Sequence, residues 1–204
     1  MVAVREYQKT QNTAKNLTNN PKDRRFLKTE KAIFDTLGTL LLENPMTVSI
    51  HPTELARRSK IAASTFYRHF PTIDDAIKYR ERNMMRRFHF VMKGLHDSHS
   101  SLYQCIERVI LFIYSNQRFF DVCFAQGNRK TLELIFEDLK PKIYHSCHLP
   151  KNSERMLKIC FNEIYTLIDE WRQETFDEKR IKSLVNEILY LLETIKKRLI
   201  RFIE

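Results

Sequence analysis

At 204 residues, 43% of them hydrophobic, the chain is long enough for one large domain or for a small domain fused to a larger one. Three glycines and six prolines are too few to supply the turns of an all-β fold, and no apolar run reaches the roughly 18 residues of a membrane span, so the composition predicts an all-α, soluble, cytoplasmic protein without a membrane partner. Charge is uneven: residues 1–96 carry 18 Lys and Arg against 9 Asp and Glu, whereas residues 97–204 carry 17 against 16, the layout of a polyanion-binding module joined to a part with a second role.

Residues 1–20 are polar and without periodicity and read as a flexible arm, with Arg5, Lys9 and Lys15 as its basic positions. Asn20, Pro21 and Asp23 form a helix start, and Leu27, Ile33, Phe34, Leu37, Leu40 and Leu41 then recur at three- and four-residue spacing to about Glu43, where Asn44-Pro45 stops the helix. His51-Pro52 opens a short second helix with Leu55 and Ala56 facing inward. After a break at Lys60 a third helix runs over 63–69. In it Phe66, four residues before Phe70, turns to the core, which leaves Ser64, Thr65, Tyr67, Arg68 and His69 on the outer surface as hydrogen-bonding groups of the size that enters a DNA major groove. Pro71-Thr72 breaks the chain, and Thr72 can cap a fourth helix over 73–95. Three short helices, two of them joined by a tight turn, match a helix-turn-helix, whose second member docks in the groove.

The second half predicts four more helical segments, about 102–125, 129–146, 153–174 and 178–202. Leu157, Phe161, Ile164, Ile168 and Trp171 in one, and Ile181, Leu184, Ile188, Leu191, Ile195, Leu199 and Phe202 in the next, advance by alternating threes and fours. Such seams suit either packing within one chain or a four-helix dimer interface, for which Leu157, Phe161, Ile164, Ile188, Leu191, Ile195 and Leu199 are the candidates. Cys105, Cys123, Cys147 and Cys160 are widely spaced and read as reduced, buried thiols. His145, Cys147 and His148 are too close together to converge on one tetrahedral metal without a further ligand, so no metal and no cofactor is expected. With no Gly-rich phosphate loop, no G-x-S-x-G and no H-E-x-x-H, no catalytic residue can be named and the chain does not read as an enzyme.

Residues 28–77, and above all Ser64-Thr65-Phe66-Tyr67-Arg68-His69-Phe70, resemble the DNA-binding domain of the TetR/AcrR family of bacterial regulators, whose recognition helix reads Gly or Ser, Thr, an apolar residue, Tyr, two variable residues and Phe. Leu55-Ala56 also stands at the family's spacing before Tyr67. The resemblance implies a helix-turn-helix domain over 21–72 and a helical regulatory and dimerisation domain over 73–204, entered through a linker helix. It further implies a repressor that binds a palindromic double-stranded DNA operator as a homodimer and is released by a small-molecule effector. By the same resemblance Thr65 and Tyr67 contact phosphate or base edges, Arg68 and His69 read sequence, and Thr53, Arg57 and Lys28 lie against the backbone. Lys60 stands where the family often has Gly, which asks for a left-handed backbone there. Ala62 stands at a Ser-like cap position, and Ile73 replaces a Lys. Aromatic candidates for lining an effector pocket are Phe88, Tyr103, Phe112, Phe119, Phe124, Tyr165 and Trp171, each of which also suits plain core. Two other readings stay open: a regulator of the same kind that activates or takes no ligand, and a helical interaction protein that binds nucleic acid or anionic membrane without sequence preference.

Overall fold

The structure is a computed structural model that describes residues 21–43, 50–93, 95, 100–150 and 153–201, with side chains from 24 to 198 within those ranges. The arm at 1–20, the cap at Asn20, the stop at Asn44-Pro45 and the side chains of Leu199 and Phe202 lie outside the described residues. The described residues are helical without a strand: α1 Pro21–Glu43, α2 Pro52–Arg58, α3 Ala63–His69, α4 Ile73–Met92, α5 Leu102–Tyr114, α6 Gln117–Ala125, α7 Lys130–Cys147, α8 Glu154–Gln173 and α9 Ile181–Arg201, the last preceded by a single 3-10 turn at Glu178–Arg180. None of these helices is long and apolar enough to cross a membrane. The chain folds as two compact units. One comprises the described residues up to Arg87 together with Arg118–Asn128, and the other comprises the described residues of 88–117 and from Arg129 onward.

In the first unit α1, α2 and α3 pack around Ile33, Leu37, Leu40, Leu41, Leu55, Phe66 and Phe70, joined by Ala76 of α4 and Val122 of α6. The stripe on α1 differs from its expected course. Leu27 is 47% exposed, and the buried face passes instead through Glu30, Ile33 and Leu37, spaced by three and four. A hydropathy count skips Glu30 because it is charged, yet its position on the helix decides its burial. The α2–α3 connection is fixed by the backbone. The Ile61 N–H donates to Ala56 O at 3.0 Å and the Lys60 N–H to Arg57 O at 3.1 Å, while Lys60 takes φ 56°. That is a Schellman ending with a non-glycine residue in the left-handed position. Thr72 starts α4 by accepting from the Asp75 N–H at 3.1 Å.

In the second unit α9 packs on α5 and α8, and α7 closes the group. Where Ile110, Leu139, Ile143, Ile164, Ile188 and Leu192 meet, a void of only about 10 Å³ remains, so this core is filled. The segment expected as one helix over 102–125 is two. Asn116 Nδ2 donates to Phe112 O at 2.7 Å, and the backbone tightens at 115–116 before α6 begins. Ser101 opens α5 with a reciprocal capping box, accepting from the Gln104 N–H at 3.2 Å while Gln104 Oε1 accepts from the Ser101 N–H at 2.8 Å. Pro141 sits inside α7, where the helix runs on without one N–H.

Candidate nucleic-acid interface

The outer face of α3 follows from its seven residues and one buried ring. Phe66 is fully buried and meets Phe70, 4% exposed, at 6.2 Å between ring centres. With Phe66 fixed, 100° per residue puts Ser64 and Arg68 on the opposite side and Tyr67 at its flank. All three are exposed, Tyr67 by 52%. Around them Thr53 and Arg57 of α2, Lys60 of the turn and Lys28 of α1 are exposed as well. Arg58, by contrast, is engaged by Glu43 at 2.7 Å and Glu54 at 3.3 Å. The other residues named on this face are hydroxyls and cations.

Thr65 and His69 flank this face and are half-buried. The His69 ring stacks on Phe26 of α1 with centroids 4.1 Å apart and planes at 24°, and its Nδ1 is buried without a hydrogen-bond partner among the described residues. Burial, and then the neighbouring Arg68 charge, pull its pKa below the usual histidine value, so the imidazole is neutral at pH 7. His69 therefore ties α3 to α1 by stacking rather than standing out with Arg68. Phe26, the other half of that tie, stays 45% exposed, and no periodicity in the sequence marks it. Nearby, burial raises the Glu30 carboxyl above its ordinary range, opposed by a hydrogen bond from Tyr79 and by the Arg86 charge, and its Oε1 has no partner among the described residues.

The aromatic residues expected around an effector do not enclose one space. Phe88 and Phe112, both fully buried, fill their site edge to face at 5.4 Å. Trp171 is fully buried, with Nε1 donating to Asp177 O at 2.9 Å and Phe176 packed edge-on at 5.0 Å. Phe119 and Phe124 are buried side chains of the first unit, and Phe119 carries the Arg80 guanidinium 5.1 Å above its ring. Tyr103 is half-buried on α5. Of the seven, only Tyr165 lines a cleft of useful size.

The seam expected at a dimer interface is occupied inside one chain. Leu157, Ile164, Ile188 and Ile195 are all at or below 6% exposure, so they have no surface to offer a second copy. Phe161 and Leu191 sit half-buried on the flanks, and Cys160, Val185 and Leu192 take the inward positions instead. A period of 3.6 rather than 3.5 residues accounts for that substitution. Leu199 lies outside the described side chains. The outward faces of α8 and α9 carry Ile159, 50% exposed, and Tyr190, 75% exposed.

All four cysteines are free and buried, and burial pushes the Cys123 and Cys160 thiols up to about 12, which makes them poor nucleophiles and ligands at neutral pH. Cys147 is buried while His145 and His148 are exposed, so the three do not converge. Compared with protein-family models, with curated proteins and with solved structures, the chain matches none of them.

Proposed function

We propose that the chain is a sequence-specific DNA-binding transcriptional regulator of the TetR/AcrR kind, a repressor that grips a palindromic operator as a homodimer and is released by a small ligand. The observation that carries the reading is the outer face of α3: Ser64, Tyr67 and Arg68 stand exposed together, backed by the buried Phe66 ring. Seven residues make a helix about 10 Å long, which fits the roughly 12 Å width of the major groove. Arg68 has the fork that reads guanine, Tyr67 and Ser64 reach phosphate or base edges, and Thr53, Arg57, Lys60 and Lys28 supply contacts that set position. In this reading α2 with α3 is the helix-turn-helix, α4 is the linker helix, and the outward faces of α8 and α9, with Ile159 and Tyr190, meet the second copy.

Selection of duplexes bound by the full chain from a random pool, at fixed salt, tests the reading. Enrichment of two inverted half-sites about one helical turn apart, or a multiple of it, is expected for a dimer. Binding that is uniform across sequences would refute sequence-specific regulation and favour non-specific polyanion binding.

A further inference from the structure

In the second unit α7 and α8 leave between them a cleft of about 400 Å³. That volume falls in the range of roughly 300–1,000 Å³ that holds small organic molecules. Its middle is aromatic: Phe136 of α7 and Phe161 of α8 lie parallel, centroids 5.0 Å apart and planes at 9°, and Leu134, 43% exposed, adds apolar surface beside them. A flat ring gains both burial and offset stacking against such a wall.

The charges of the lining are arranged by position. At one end Lys140 is already met by Glu137 at 2.6 Å and Glu154 at 3.5 Å. At the other end the lining carries Arg129, Lys130 and Glu133. Arg129 is held there, its guanidinium 3.9 Å over the Tyr165 ring and its Nη1 donating to Asn162 Oδ1 at 3.2 Å. Both cations stand at the start of α7, where the helix dipole adds to their charge instead of offsetting it, and Arg129 gives the helix no side-chain cap. Lys158, on the α8 wall, has no ion-pair partner among the described residues.

We propose that this cleft binds a small organic anion with a flat aromatic body, the ring against Phe136 and Phe161 and a carboxylate or sulfonate at Arg129. A guanidinium fixed by stacking is prepared for a planar anionic head and loses little freedom on meeting it. The proposal concerns binding alone and stands whether or not the chain reads DNA.

The test is a fluorescence titration of the full chain with anilinonaphthalene sulfonate, and in parallel with phenyl-naphthylamine, which has the same rings without the charge. Saturation at one sulfonate per chain is expected. Arg129→Gln should weaken it about 10-fold, the loss of one charge-assisted contact, while the neutral probe shifts by less than about 2-fold. Leu134→Trp, which fills the cleft, should abolish binding of both. Circular dichroism melts establish that each variant is folded; Arg129 is exposed, so its replacement leaves the core untouched. Non-saturating binding, equal response of both probes to Arg129→Gln, or full binding by Leu134→Trp would each overturn the proposal. Since no DNA enters the readout, failure here and failure of duplex binding are separate results.

Discussion

Lys60→Gly tests the local physics of the α2–α3 turn. Lys60 sits at φ 56° and closes the turn through its N–H to Arg57 O at 3.1 Å. A left-handed backbone costs a residue with a Cβ about 1–2 kcal/mol, and glycine avoids that cost. Glycine also loses more freedom on folding, which returns about 0.5–1 kcal/mol in the opposite sense. The net expectation is a gain of about 0.5–1 kcal/mol, or a rise of about 2 °C in the thermal midpoint for a chain of this size. Lys60→Ala is the matched control, since it removes the same charge and stem but keeps the strain. Chemical and thermal denaturation of the three proteins at fixed ionic strength gives the comparison. If Lys60→Gly proves no more stable than Lys60→Ala, the turn is not held as described and the placement of α3 loses its support.

Three further outcomes follow from particular residues. Burial raises the Glu30 pKa above its ordinary value of 4.5, so the neutral form favours folding: that stability is complete below 4.5 and is lost as pH rises through the folded value. Glu30→Gln should therefore be more stable than the parent at pH 7, with the difference closing below pH 4.5, as read by denaturant melts across pH. Pro141 removes one N–H from the interior of α7 and is exposed, so Pro141→Ala should stabilise the chain by about 1–3 kcal/mol in the same assay. On the proposed homodimer reading, Tyr190→Glu, at a side chain 75% exposed on α9, should weaken self-association by about 30-fold or more in sedimentation equilibrium, the cost of losing an aromatic anchor of roughly 2 kcal/mol, and leave the melt unchanged at concentrations where the chain is monomeric.

Much of this architecture is legible in local chemistry. The start of α2 at Pro52, the span of α3 and the cap at Thr72 follow from proline, spacing and a hydroxyl, and the left-handed Lys60 agrees with what the TetR/AcrR resemblance implies at that turn. What stays hidden involves contacts between distant residues or a competition that periodicity does not weigh. The stack of Phe26 on His69 spans more than forty positions, and it turns an expected reader of bases into a packing group. The 115–116 break depends on an asparagine side chain bonding back to Phe112 O, although both sides of it are equally helical in composition. The Ser101–Gln104 capping box was present in the sequence as S-x-x-Q and marks the start of α5 better than hydropathy does. The seams of α8 and α9 carry a period but not a destination, because the same stripe serves a core and an interface. The cleft of α7 and α8 is lined by Phe136, Phe161 and Tyr165, of which the sequence names only Tyr165 as a pocket liner and assigns Phe161 to the seam.

The most direct test of the central claim is the base preference of Arg68→Ala set beside that of Arg57→Ala, both measured on the selected duplex and its single-base variants at several salt concentrations. If the outer face of α3 reads the groove, Arg68→Ala loses about 1–3 kcal/mol at particular bases and relaxes preference there, whereas Arg57→Ala weakens all sequences alike and reduces the salt slope by about 1. Unchanged base preference in Arg68→Ala would contradict the account.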